Sequence, residues 1–440
     1  MRRLRLSELA RVVGGLVTVW PALRRMPTRP AAEVRAWQCS RVRELIAHAY
    51  ENVPMYRRLY DGAGVGPADL RSLEDLRRFP LVTKDMVIEH YPHGTVARGY
   101  AIGDLIVSRS SGSSGRVLDI AYDPRAMVTY VLAGLRMYRM GFDYGPRHRQ
   151  VYVYTSPYPM DSLFGLYPMT FVPTTAPVER IVAALRERRP DLLVCYPSHL
   201  KQIVDTMERT GVRLRPRAVS VNSEMSTQAE RDDLARRLGC PVLDEYSSEE
   251  LTRIAGQCVH KRYHVFEDIN YIEVLDEERR PTEGAGTIVG TNLHNFAMPM
   301  IRYVQNDLGR VEVGPCACGW TFRGLVDLQG RRNDSFTMPS GRVLTSGFLL
   351  DATYEFLLAH RTAVKDFCLI QESLASVLLQ VVPGEGWNAV VARSVSERFA
   401  GFLEAGVAFR VETVAECVKT ATGKRNPIIS LVGRGVDAPV

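Results

Sequence analysis

The residues best suited to chemistry in this chain lie in a few short segments. Ser108-Arg109-Ser110-Ser111-Gly112-Ser113-Ser114-Gly115-Arg116 alternates hydroxyls with glycines. Such a run leaves backbone N–H groups and short donors free to wrap phosphate oxygens, and glycine permits the close approach. No Gly-Lys-Ser/Thr follows, so it is not a Walker loop; a Ser/Gly linker is the plain alternative. Arg302-Tyr303-x-x-x-Asp307-Leu308-Gly309 offers an aspartate at a turn expected after a strand. A carboxylate so placed can accept both hydroxyls of a ribose, although Asp-Leu-Gly turns are common. Lys419-Thr420-Ala421-Thr422-Gly423-Lys424 gathers two of only six lysines. A lysine on a Gly-containing loop delivers a point charge to phosphate or carboxylate oxygens, the alternative being a solvated tail.

A separate constellation joins Cys258-x-His260-x-x-x-His264 to Cys316-x-Cys318. Paired thiolates and an imidazole suit tetrahedral Zn²⁺. The expected ligands are Cys258, Cys316, Cys318 and His264, with His260 the alternative to His264; buried free thiols are the plain reading. Cys39, Cys195, Cys240, Cys368 and Cys417 read as core or surface residues.

The elements that must position these residues are clearest between Arg149 and Ser247. Apolar runs at Val151–Tyr154, Leu192–Tyr196, Ala218–Val221 and Pro241–Leu243 alternate with helical patterns at Val178–Arg189, His199–Thr210 and Gln228–Leu238. Thr227 and Glu230 form a capping-box start and Gly239 a stop for the last helix. This alternation predicts an α/β fold with a helix-covered, mostly parallel sheet. Ligands bind outside the carboxyl ends of such strands. That rule selects Tyr196-Pro197-Ser198, Asn222-Ser223-Glu224 and Glu245 to Glu250, which should meet at one cleft. His199 reads as a helix start. Phe164, Tyr167 and Met169 could line a pocket but are more often core.

Residues 1–100 read as mostly helical, with Arg35 to Tyr50 the strongest amphipathic stretch, and 255–330 as a β-rich subdomain. From about Asp334 the pattern becomes a small α+β module, with strands at Phe367–Gln371 and Val377–Val382 and a helix at Ala389–Glu404. The expected domains are 1–331 and 332–440, with Gly330-Arg331-Arg332-Asn333-Asp334 at the boundary.

Composition narrows the classes. A chain of 440 residues, 46% hydrophobic and 24% charged, can bury a sizeable core. Val12 to Leu23 is too short to span a membrane. After the basic start Met1-Arg2-Arg3-Leu4-Arg5 it mimics a signal peptide, but Glu8 and Arg11 intervene and no small-x-small site follows. A solvated or membrane-peripheral surface helix is expected instead. The +7 net charge comes from 56 basic and 49 acidic residues, and the arginines alternate with acids along the chain rather than forming a basic block. No nucleic-acid partner is expected. Eight unevenly spaced cysteines make no disulfide framework, so a reduced cytoplasm is the expected compartment.

Taken in order, these segments resemble the adenylate-forming ligases, and within them the phenylacetate–CoA ligase branch with its capsule-biosynthesis-like members, over nearly the whole chain. The resemblance implies roles by position. Ser110, Ser111, Gly112, Ser113, Ser114 and Gly115 match the loop that holds the ATP β- and γ-phosphates. Tyr246 would stack near adenine, flanked by Glu224, Glu245 and Ser247 in the nucleotide site. Glu250 would hold Mg²⁺, with Glu249 the alternative carboxylate. Asp307 and Arg331 would reach the ribose, and Lys424 would stabilise charge as a carboxylate attacks the α-phosphate. Some positions depart from the family pattern. Ser247 stands where glycine is usual, Glu249 where Ser or Thr is usual, and Asn333 at a hinge position usually Asp or Lys. The loop Ser156 to Asp161 lacks the usual glycines near the acid pocket.

The implied activity is activation of an aryl or arylacetic acid as acyl-adenylate, then transfer to coenzyme A, with 332–440 as a mobile lid. Transfer to an amine, hydroxyl or carrier-protein thiol is the alternative, and an idle scaffold relative the lesser one. The resemblance also implies a small-molecule acid partner, a homodimer, and zinc in some members of the branch.

Overall fold

The computed structural model describes residues 18–109, 118–155, 157, 162, 165–331, 334–360, 362–418 and 425–432, with backbone only for Arg109, Arg331, 355 and 357–359. The Ser110–Gly115 loop, Lys424, Asn333, Phe164 and the first half of the apolar stretch Val12 to Leu23 therefore lie outside the described residues.

One sheet of eleven strands dominates. In spatial order its parallel half runs Met169–Pro173, Gln150–Tyr154, Leu192–Cys195, Ala218–Asn222, Val242–Ser248. The next strand, Thr252–Gln257, pairs antiparallel with Val242–Ser248. The sheet then continues antiparallel through Tyr263–Val265, Gly324–Arg331, Tyr303–Glu312, Gly286–Asn292 and Asn270–Leu275. The β-rich region is thus the second half of the same sheet rather than a separate layer.

The parallel strands read as unbroken apolar runs because both faces are covered. Side chains alternate across a strand. Val151, Val153, Leu193, Cys195, Val219 and Val221 enter one core with helices Val178–Arg188, Pro197–Thr210 and Gln228–Leu238. Leu192, Val194 and Ala218 enter the opposite core, filled by helix Pro124–Phe142 and the N-terminal helices Ala31–Asn52 and Pro54–Ala63. Thr227 Oγ1 accepts the Glu230 N–H at 3.0 Å and Gly239 closes the helix at φ 71°. The Glu230 carboxylate, however, is buried rather than completing a capping box.

Strand Met169–Pro173 escaped the sequence reading. It is an edge strand bounded by prolines with only Val172 buried, so its pattern is short and weak. A two-stranded ladder, Ile106–Arg109 with Asp119–Tyr122, flanks the Ser/Gly loop and pairs Arg109 with Asp119 across its base. The C-terminal part has its own four-stranded sheet, built from Val364–Ser373, Ser376–Pro383, Ala408–Thr413 and Ile428–Ser430, with helix Ala389–Ala400. Phe336, Phe367, Leu369, Leu379, Val381 and Phe399 fill its core. No helix among the described residues is long and apolar enough to cross a membrane.

Candidate functional site

The carboxyl ends of the parallel strands do converge. Tyr154, the last residue of its strand, donates its hydroxyl to Asn222 Oδ1 at 2.5 Å and lies ring to ring with Tyr196 at 4.2 Å. Tyr152 stacks on Tyr154 at 4.3 Å, and Thr155 Oγ1 is 3.2 Å from the Tyr196 hydroxyl. Asn222 is in register with Glu245 on the next strand. His199 lies inside helix Pro197–Thr210, its ring 5.7 Å from Tyr196.

Tyr246 donates its hydroxyl to Asp307 Oδ2 at 2.5 Å, joining a parallel-strand end to a strand of the antiparallel half. Asp307 is not at a turn. It sits within strand Tyr303–Glu312, after Asn306 at φ 61°, and pairs with Arg331 across the ladder. The residues expected to face adenine and ribose are therefore neighbours. Gly330, beside Arg331, has φ 71°, and a Cβ there would lie 2.4 Å from Met225 Sδ, so a side chain would be strained and would have to displace Met225.

The glutamates divide their partners. Glu249 accepts the Ser108 hydroxyl at 2.6 Å, and its carbonyl accepts the Tyr122 hydroxyl, so it is tied to both strands flanking the Ser/Gly loop. Glu250 Oε1 accepts the Tyr303 hydroxyl at 3.0 Å. Glu245 is buried and paired with Arg253; burial holds its carboxyl above the usual range although Arg253 opposes this. Ser247 lies on the same strand at a register shift opposite Arg253. Glu224 is linked to the backbone of Ser198 and of Arg425.

Ser108, Tyr122, Tyr154 and Tyr303 make site contacts to which the sequence reading assigned no role. Three of them lie within segments that it singled out: Ser108 at the loop edge, Tyr154 at a strand end, Tyr303 four residues before Asp307. Tyr122 carried no signal of its own.

The Cys/His constellation is brought together. Ligand atoms of Cys258, His264, Cys316 and Cys318 all lie within 4.8 Å of one another, while His260 is exposed outside the group. Two thiolates bound tetrahedrally to one ion at about 2.3 Å would sit about 3.8 Å apart. The Cys258 and Cys316 sulfurs are 3.7 Å apart, and Cys318 Sγ is 3.2 Å from His264 Nε2. His264 Nδ1 lies 3.2 Å from the Phe322 carbonyl, which orients the ring as outer-shell partners of metal ligands do. Burial lowers the His264 pKa, keeping the imidazole neutral as a ligand must be. Hydrogen bonds from the Cys318 backbone and from neighbouring thiols bring the Cys316 thiol below its ordinary value against the effect of burial, while burial raises Cys258 and Cys318. The donor set and spacing fit zinc.

No protein-family model matches the chain. Curated relatives do. The phenylacetate–coenzyme A ligase of Thermus thermophilus is 30% identical over 334 residues, covering 70% of this chain and 73% of the relative. That of Aromatoleum evansii is 31% identical over 329 residues, covering 69% and 71%. Among solved structures, a 2-hydroxyisobutyryl-CoA ligase in the postadenylation state with 2-HIB-AMP superposes with a TM-score of 0.77 at 22% identity, covering 92% of this chain and 91% of that one. The same ligase in the thioesterification state gives 0.63 over the same coverage. The agreement is in fold, and the curated relatives carry the assignment: the chain belongs to the phenylacetate–coenzyme A ligase family of adenylate-forming enzymes.

Proposed function

We propose that this protein activates a carboxylic acid with ATP and passes the acyl group to coenzyme A. A carboxylate oxygen attacks the ATP α-phosphorus, a new O–P bond forms, and the bond to pyrophosphate breaks. The coenzyme A thiol, losing its proton, then attacks the acyl carbonyl, and AMP leaves. Such phosphoryl transfer needs positioning and charge stabilisation rather than an enzyme nucleophile.

The observation that carries this reading is the Tyr246–Asp307 hydrogen bond at the carboxyl edge of the sheet. It fixes the aspartate that would bind the ribose hydroxyls beside the ring that would stack near adenine. Ser110 to Gly115 would hold the β- and γ-phosphates, Arg331 would join Asp307 at the ribose, and Lys424 would meet the charge developing at the α-phosphate. The Mg²⁺ that Glu250 would hold, with Glu249 the alternative, supplies further neutralisation of phosphate charge. Cys258, His264, Cys316 and Cys318 would hold a structural zinc. Tyr152, Tyr154 and Tyr196, whose rings lie 4.2 to 4.3 Å apart in succession, favour an aryl or arylacetic acid. Residues 332–440 would act as the lid that rotates between the two half-reactions.

Incubation with ATP, Mg²⁺, coenzyme A and a panel of acids, read by product mass, tests the whole reaction. An acyl-CoA with one AMP per thioester is expected. An amide, ester or acyl-carrier product would replace coenzyme A as acceptor, and ADP in place of AMP would refute adenylation. At finer scale, Asp307→Ala should raise the apparent KM for ATP about 10- to 100-fold, since hydrogen bonds to a charged group are worth about 1.5–3 kcal/mol. Tyr246→Phe, which loses the hydroxyl but keeps the ring, should raise it only a few-fold. Unchanged ATP dependence in Asp307→Ala would remove the ribose role.

A further inference from the structure

Arginines that are scattered along the sequence meet at one end of the large sheet. Strands Gln150–Tyr154, Leu192–Cys195 and Ala218–Asn222 are adjacent and parallel, and their first residues Gln150, Leu192 and Ala218 are in register. The segments that lead into them, 143–149, 186–191 and 211–217, carry two, three and three arginines, all of them exposed. The acids in these segments are Asp143, Glu187 and Asp191, so twenty residues hold five of the chain's seven net positive charges.

The three segments are tied together. The Asp191 carboxylate accepts the Arg149 N–H at 2.8 Å and lies 3.6 Å from its guanidinium, while the Asp191 carbonyl accepts the Arg217 N–H at 2.8 Å. Arg217 Nη1 lies 3.4 Å from His148 Nε2, which joins the third segment to the first. Glu187 faces Arg188 at 3.8 Å. Among the described residues Arg147, Arg186, Arg189, Arg213, Arg215 and Arg217 form no ion pair. Like charge left without counter-charge destabilises the compact state, and an anionic partner relieves it.

The chemistry of the patch selects the partner. Planar guanidinium groups pair with phosphate oxygens. Three features favour phosphate carried on a lipid surface. The one Phe, Tyr or Trp in the three segments, Tyr144, is buried, so no such ring is offered for a base to stack on. Exposed apolar side chains stand at the same end. Leu166 precedes Tyr167, whose N–H donates to the Pro146 carbonyl at 2.6 Å next to Arg147, and Met140 lies in the last turn of the helix Pro124–Phe142 that leads into the first segment. Apolar groups beside arginines are the composition of an interfacial surface. The patch also lies at the amino ends of the strands, whereas Tyr154 and Asn222 close their carboxyl ends. A support at the patch leaves the cleft facing solvent.

We infer that this arginine face docks the protein on an anionic phospholipid surface. Co-sedimentation of the full-length protein with vesicles tests it. At about 0.1 M NaCl the protein should pellet with vesicles of phosphatidylcholine and phosphatidylglycerol but not of phosphatidylcholine alone, and about 0.5 M NaCl should release it by screening. A basic residue near an anionic bilayer strengthens binding about five-fold, so Arg147→Gln, Arg213→Gln and Arg215→Gln together should weaken it about 100-fold. The same loss of three charges at the exposed Arg58, Arg279 and Arg393 should weaken it less than about 3-fold, because charges beyond a Debye length are screened. Both triple variants should melt at the wild-type temperature, since all six side chains are exposed.

No binding of the wild type to phosphatidylglycerol vesicles at the lower salt would overturn the proposal. Equal weakening by the two triple variants would do the same, by assigning the binding to net charge rather than to this face. Tighter binding to random-sequence duplex DNA than to vesicles, lost in the Arg147, Arg213 and Arg215 variant, would make the patch a nucleic-acid surface instead. Release from the vesicles by inorganic phosphate at an ionic strength that chloride tolerates would make it a site for free phosphate.

Discussion

Cys318→Ser is expected to strip the metal from the protein and lower its melting temperature by about 10 °C. The wild type should carry one zinc per chain by metal analysis. The size of the effect follows from how the site is built. Isolated zinc peptides gain about 10–16 kcal/mol from the metal because nothing else folds them. Here His264 is already held in the sheet, in register with Gly256 and Gly324, so the metal organises mainly the Cys316–Cys318 turn. About 3–5 kcal/mol of folding free energy is therefore at stake, and a domain of this size shifts by about 2–4 °C per kcal/mol. The turn matters beyond itself. Trp320 follows it, 5.4 Å from the His264 ring, and lies under the buried Arg136 guanidinium, which also pairs with Asp268 and donates to the Leu23 carbonyl at 2.9 Å. Loosening the turn should therefore loosen the attachment of the N-terminal helix Trp20–Arg25. Wild type that purifies without zinc, together with a Cys318→Ser variant that melts at the wild-type temperature, would show the cysteines to be ordinary buried thiols.

The second large effect is on catalysis. Lys424→Ala should reduce carboxylate-dependent ATP–pyrophosphate exchange by about 10²–10³-fold, the usual loss when one preorganised charge or donor at a developing oxyanion is removed. Lys424→Arg should recover little of this, because a planar guanidinium does not place a point charge where an ammonium did. Thermal stability should hold, and acyl transfer from synthetic adenylate to coenzyme A should persist. An undiminished exchange rate in Lys424→Ala would assign the charge stabilisation elsewhere.

Much of this architecture can be read from the residues because short-range rules govern it. Thr227 and Gly239 mark the ends of one helix, and four apolar runs mark strands buried on both faces. The Cys/His spacing singles out the four residues that meet in space. What escaped the reading depends on pairings distant in sequence. The Tyr246–Asp307 bond spans 61 residues and the Ser108–Glu249 bond 141, and neither partner's pattern announces the other. Asp307 reads as a turn residue because Asp-Leu-Gly is a common turn sequence, yet it lies inside a strand and the ladder continues through it. Glu224 and Glu245 share the same signal, a carboxylate where an apolar strand stops. One links two segments of the chain through their backbones, and the other is buried against Arg253. Sequence position marks the end of the sheet where ligands bind, but the partner each carboxylate finds there decides its role.

The most direct measurement of the central claim is ATP–pyrophosphate exchange by the wild-type protein across aryl, arylacetic and aliphatic acids, without coenzyme A. Exchange that requires an acid, is strongest with one aromatic class and proceeds without thiol is the predicted result, because adenylate formation precedes acyl transfer. Absence of exchange with every acid, in protein shown by calorimetry to bind ATP and Mg²⁺, would contradict activation of these carboxylates as adenylates.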